Sequence, residues 1–271
     1  MEPARDAAAG QLGGGLLMAR ALTAYASAEG LPAGGADLPR AIAAAALLLG
    51  SVGHAVAALL AGAPLPGTIA AAAAALALLL LAIPLFWLRH RWPLVIVALY
   101  WLIRLAEALA RLPSPSQPAD WVMPAESLFL AAVLLSAGAR SRHTRLRSLP
   151  AYLAAAMAAL FGAVHLRHQA DIASLLPAGF PGAARIPFVT GLIQLAGALA
   201  LLVSNTRRAA AAGFAIMFGS WIALVHVPRL AEDPASLFEW QFAMMALALA
   251  GGMLQLALAC RLAQVVRTAD G

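Results

Sequence analysis

The run Phe161-Gly-Ala-Val-His165-Leu-Arg-His168 is followed by Leu175-Leu-Pro177-Ala-Gly-Phe-Pro181, then by Val189-Thr-Gly191-Leu-Ile-Gln194-Leu-Ala-Gly197, then by Asn205-Thr-Arg207-Arg208 and Ala223-Leu-Val-His226. Most of what lies between these landmarks is apolar. The apolar stretches are long and continuous, whereas a strand of a membrane barrel alternates over about ten residues. Three apolar helices joined by a proline loop and an arginine turn are therefore expected. Hydrocarbon demands the same solution, because a helix closes its backbone hydrogen bonds within one segment.

The rest of the chain has the same character. An apolar fraction of 63% with 11% charged residues lies well above the roughly 45–50% apolar share of soluble domains. At about 20 residues per crossing, apolar runs at 41–60, 68–88, 92–110, 121–137, 149–166, 186–203, 209–227 and 238–258 give eight spans. The expected fold class is all-α, a polytopic membrane protein of eight transmembrane helices whose solvent is the lipid bilayer.

A net charge of +6 and a pI near 10.9 would point to nucleic acid in a soluble protein. Here the arginines have another use, and no nucleic-acid partner is expected. All 18 basic residues are Arg; without Lys no internal Schiff base can form, which excludes a retinal protein. The one cysteine, Cys260, allows neither an intramolecular disulfide nor a Cys-x-x-Cys centre. With both termini cytoplasmic, Arg5, Arg20, Arg40, Arg89, Arg91, Arg207, Arg208, Arg261, Arg267 and the cluster at 140–147 fall inside. Only Arg111, Arg167, Arg185 and Arg229 fall in external loops. That bias is what the positive-inside rule requires, with Trp92, Trp121 and Trp240 as interfacial anchors.

The two halves look alike. His54 precedes Pro66 by the same interval as His165 precedes Pro177, and Pro66-Gly67 recurs as Pro181-Gly182. The Arg89-His90-Arg91 turn corresponds to the turn at 205–208. Trp101 matches Trp221 in depth, and Glu126 and Glu239 each stand near the start of the last helix of their half. A tandem duplication follows: a flexible cytoplasmic tail at 1–38, a first four-helix unit at 39–138, an Arg-rich linker at 139–148, a second four-helix unit at 149–262 and a cytoplasmic tail at 263–271. An even number of spans per unit gives the halves the same orientation, a parallel repeat.

In its landmarks the second unit resembles the DoxX-like family of small membrane proteins, and the first unit resembles a diverged copy. In that family a first-helix His precedes a Pro-x-x-x-Pro loop, the next helix carries Gly-x-x-Glu-x-x-Gly, a basic turn follows, and a second His stands late in the third helix. His165, Pro177, Pro181, Gly191, Gly197, Arg207, Arg208 and His226 occupy those places. Gln194 stands where the pattern has Glu, so proton transfer carried there by the family's acid would pass to Glu239 or Glu126. The resemblance implies a bacterial cytoplasmic (inner) membrane location, a quinone cofactor and a redox partner subunit, since a member of the family pairs with a second subunit in thiosulfate oxidation by quinone. A homo-oligomer is the other assembly considered.

An ionisable residue inside a span costs about 2.5–3.5 kcal/mol on insertion scales and is a functional candidate by default. His54, Arg104, Glu107, Glu126, His165, His168, His226 and Glu239 all fall toward the outer ends of their spans, in one layer. His165, His226 and Glu239 are the catalytic candidates and are expected to converge from three helices. Arg104, Glu107, His54 and Gln194 are the cofactor-binding candidates, anchors for a quinone head group. For Arg104 and Glu107, three apart on one helix face, charge neutralisation during insertion is the simpler role. His165-x-x-His168 with Asp171, facing His226 and Glu239, has ligand types that suit a transition metal. No compact metal signature accompanies it, and hydrogen bonding between helices accounts for the same residues, so a metal stands as the lesser alternative. Gly191 and Gly197 read as small residues for close helix approach.

Three function classes remain open at this stage: a membrane subunit of a quinone-linked oxidoreductase, a small-solute carrier or channel, and a non-catalytic scaffold for a partner. The topology is directly testable. A reporter fused after Gly271, or inserted in the 140–147 linker, should be active only inside the cell; an external signal from either position overturns the eight-span arrangement.

Overall fold

The computed structural model describes residues 37–61, 92–112, 119–138, 144–177 and 179–270. The expected span at 68–88, the Pro66-Gly67 pair, the Arg89-His90-Arg91 turn, residues 1–36 of the tail and 139–143 of the linker lie outside them. Every described element is helical: α1 (Asp37–Ala61), α2 (Trp92–Arg111), α3 (Ala119–Gly138), α4 (Thr144–Arg167), α5 (Gln169–Ser174), α6 (Ile186–Leu202), α7 (Arg207–Trp221), a π turn (Ile222–His226), α8 (Val227–Glu232) and α9 (Leu237–Asp270). From Ala41 onward the chain forms one compact unit.

Among the described residues, Ser148–Arg167, Arg207–Glu232 and Leu237–Cys260 are long and apolar enough to cross a membrane. Ile42–Ala58 and Ile186–Leu202 are shorter apolar helices. Leu199 is 68% exposed and Ile216 73%, and the exposed faces of α2 and α6 carry Leu99, Ile103, Leu192 and Ile193 as well. Contiguous apolar surface of this kind suits lipid rather than water. The described residues are thus all-helical, with helices long and apolar enough to cross a membrane.

Helix ends depart from the apolar runs in an instructive way. α9 continues to Asp270, through residues expected as a tail, and α4 begins at Thr144, inside the expected linker. Both extensions are built of residues such as Arg, Leu, Ala, Gln and Val with no interior glycine, so helix propensity carries the backbone past the point where apolarity stops. The loop after His168 also contains α5, which apolarity does not mark.

α2 and α3 form an antiparallel hairpin; α3 packs on α4, α4 on α6, α6 on α7 and α7 on α9. α9 also touches α3 and α4 and crosses α1 through glycines. A Cβ on Gly50 would lie 2.6 Å from the Met244 carbonyl oxygen, and one on Gly251 would lie 2.9 Å from that of Ala43. A second crossing joins α4 to α6, where a Cβ on Gly162 would come 2.9 Å from the Gly191 oxygen. In lipid, where no hydrophobic force drives helices together, such backbone approach is what dispersion requires. The core beside these crossings is filled by Leu47, Trp101, Phe129, Phe218, Leu249 and Met253.

Alanine normally stabilises a helix relative to glycine by about 0.5–1 kcal/mol. Gly251→Ala should instead destabilise by about 1–3 kcal/mol through overpacking, whereas Gly213→Ala, with nothing within 4 Å of its new methyl, should be neutral or stabilising. Thermal unfolding of the two variants in detergent compares them directly; a Gly251→Ala protein as stable as Gly213→Ala would remove the crossing from the account.

Candidate functional site

A polar cluster is built where α8 turns into α9. Asp233-Pro-Ala-Ser236 breaks the helix, and Ser236 Oγ accepts a hydrogen bond from the Glu239 amide at 3.4 Å, capping the new one. Trp240 Nε1 donates to the Pro234 carbonyl at 3.0 Å and pins the corner. The Glu239 side chain, thus placed in the first turn of α9, is buried.

Its carboxylate has two partners. Arg229 Nη2 lies 2.7 Å from Oε1, and His226 Nδ1 lies 3.5 Å from Oε2. Arg229 Nη1 also donates to the Leu175 carbonyl at 3.0 Å, tying α8 and α9 to the turn after α5. Pro228 has no N–H and its ring would crowd the carbonyl four residues back. The helix widens just before it: the Val227 amide bonds to the Ile222 carbonyl, five residues back, in the π turn that ends on His226. π turns of this kind recur at functional sites. The His226 ring lies nearly parallel to Phe242, at 11° and 6.4 Å between centroids.

His165 takes a different course from the one expected. Its Nδ1 donates to the Phe161 carbonyl at 2.8 Å within α4, which fixes the proton on that nitrogen because a carbonyl can only accept. Its ring lies 5.4 Å from that of Trp221 at 31°. The structure therefore brings His226 and Glu239 together but directs His165 to Phe161 and Trp221. Of the three residues expected to converge, His226 and Glu239 are in contact, and Arg229 joins them.

Gln194 is fully buried, and neither of its amide atoms has a hydrogen-bond partner. Gly191, one turn before it, packs against Gly162 and Leu166, the latter next to His165 in α4. An unpaired buried amide costs roughly 1–3 kcal/mol by protein mutational data. His168 points elsewhere: its Nδ1 lies 3.3 Å from Asp171 Oδ2 at the exposed start of α5. Among the described residues no three His, Cys, Asp or Glu side chains group as a metal site.

Earlier in the chain, His54 Nδ1 lies 2.6 Å from the Tyr100 hydroxyl, and its ring is 5.2 Å from that of Trp101 at 37°. Trp101 Nε1 donates to Ser51 Oγ at 2.9 Å, and Ser51 Oγ donates to the Leu47 carbonyl at 2.7 Å. Arg104 pairs with Glu107 along α2, and its Nη2 reaches Met123 Sδ of α3 at 3.7 Å. Arg229, Tyr100 and Ser51 escaped notice as site residues in the sequence, although each carries a signal: Arg229 stands three residues after His226, and Ser51 three before His54, on the same helix faces.

Replacing Glu239 alone leaves Arg229 beside no charge. Glu239→Gln should therefore lower stability more than the Arg229→Gln, Glu239→Gln double variant does, with a coupling of about 1–3 kcal/mol across the cycle. Unfolding measured on all four proteins of the cycle decides this; additive effects would mean that the pair does not hold α8 to α9.

Comparison of the chain with protein-family models, with curated proteins and with solved structures finds no match in any of the three.

Proposed function

We propose that this chain is the membrane component of a quinone-linked oxidoreductase of the DoxX-like kind, receiving a quinone head group at the polar end of its second unit. The observation that carries the reading is Gln194, an amide buried in an apolar bundle with no partner of its own. A quinone carbonyl accepts hydrogen bonds and would satisfy the Gln194 amide donors. Quinone reduction takes up two electrons and two protons; the electrons come from a donor held by a redox partner subunit. His226, whose Nδ1 faces Glu239, is placed to pass a proton, since imidazole exchanges one near neutral pH. His165 borders the head group, and the apolar flanks of α6 and α7 leave the tail in lipid.

In this reading the chain crosses a bacterial cytoplasmic membrane eight times, as two tandem four-helix units with both termini cytoplasmic. The matching His54–Trp101 and His165–Trp221 ring pairs support the duplication. The apolar outer faces also leave room for a homo-oligomer.

Gln194→Leu separates ligand from fold. It removes an unpaired amide at similar volume, so the protein should be as stable as the wild type or more so, yet lose the quinone that copurifies with it. His226→Gln should stay folded and retain quinone but stop quinone-coupled turnover. Mass spectrometry of extracted lipids and thermal unfolding read the first effect, and a quinone-reduction assay with the redox partner reads the second; undiminished quinone in a stable Gln194→Leu protein overturns the proposal.

A further inference from the structure

The short helix α5 is lightly anchored. It has six residues, none of them buried, and it is set apart from α4 by the non-helical backbone of His168, at φ −117° and ψ 42°. Its far end is held from α8, where Arg229 Nη1 donates to the Leu175 carbonyl at 3.0 Å. The same guanidinium holds Glu239 Oε1 through Nη2 at 2.7 Å, while Glu239 Oε2 lies 3.5 Å from His226 Nδ1. One carboxylate is thus shared by a permanent cation and by an imidazole, a group that gains its charge near neutral pH.

With His226 neutral, the charges of Arg229 and Glu239 cancel. A proton on His226 leaves two cations with a single carboxylate between them. Among the described residues, Glu239 from α9 and Arg229 from α8 are the charged groups that face the His226 ring, and Phe242 on its flank offers no counter-charge. The other titratable groups of α5 and the end of α8, His168, Asp171, Glu232 and Asp233, face elsewhere: His168 pairs with Asp171, and Glu232 and Asp233 are exposed. Like charges in an apolar site repel more strongly than in water, so one cation must give way. The side chains of Glu239 and His226 are only 8% and 13% exposed, whereas that of Arg229 is 29% exposed, on a long stem that can carry its head to water. Arg229 is therefore the one to leave, and in leaving it drops the Leu175 carbonyl.

We propose that His226, Glu239 and Arg229 form a proton-operated latch on α5. A proton taken up by His226 releases Arg229 from Glu239 and frees the end of α5; its departure closes the corner again. Only that proton moves, and no other bond is made or broken. In the quinone reading the corner stands open while His226 is loaded and shuts once the proton has passed on, but the latch itself needs no quinone.

The test places nitroxide labels on the full chain through Ser174→Cys and Glu232→Cys, two exposed positions on α5 and α8, with Cys260→Ser to leave no third thiol. In lipid nanodiscs without quinone, the distance between the labels is measured by double electron-electron resonance at about pH 8 and about pH 5.5, toward the two ends of the imidazole range. This labelled parent should show a short, narrow distribution at the higher pH and one lengthened by about 2 Å or more at the lower. Added to it, His226→Gln should keep the short distance at both, and Arg229→Gln should give the long distance at both. His168→Gln, at the hinge of α5, should respond as the parent does. A parent distance that ignores pH overturns the latch, as does a response that survives in His226→Gln or disappears in His168→Gln. A folded Arg229→Gln protein that keeps the short distance overturns it as well; the parent and His226→Gln decide the matter if Arg229→Gln does not fold. Because no quinone is present, the outcome is separate from that of Gln194→Leu.

Discussion

The contact between Arg229 and Glu239 is the one on which the corner between α8 and α9 depends. Neither charge would be tolerated alone in an apolar bundle, since one partner without the other is an uncompensated buried ion. Together they fix the angle at which α9 leaves the corner after α8, and the second arm of Arg229 fastens that corner to the turn following α5. α9 then runs on to touch α1, α3, α4 and α7. A local neutralisation of charge thereby sets the direction of the helix that most of the others share.

Much of this was legible in the chain. Long apolar runs forecast helices in every described segment that carries one, because apolarity and helix length are both properties of contiguous residues. The ends were less legible: α9 passes Cys260 and α4 starts before Ser148 because propensity, not apolarity, governs the turns outside the hydrocarbon. Glu239 and His226 stand out as polar residues in apolar surroundings, and they meet. His165 stands out just as clearly yet spends its Nδ1 on its own helix, a choice made by the rotamer and the neighbouring indole, which no spacing records. Gln194 could be singled out as an amide among leucines, but its lack of a partner is a property of the packed bundle alone.

The two halves use similar parts to different ends. Each sets a histidine against an indole at nearly the same distance and tilt. Beside its ring pair the N-terminal half adds a tyrosine and a serine to build a hydrogen-bond chain, while the C-terminal half holds a charge pair.

The π turn at Ile222–His226 holds one residue more than the α-helical path it replaces. Removing a single residue there would let the helix run straight, and everything beyond would rotate by about 100° and draw back about 1.5 Å. Trp221 would stay against His165, but His226 and Arg229 would swing off Glu239. The spacing between the indole and the arginine is therefore as constrained as their identities, and a one-residue deletion in this segment, with no side chain of the site altered, would uncouple the two ends of the helix as a slipped tooth uncouples two gears.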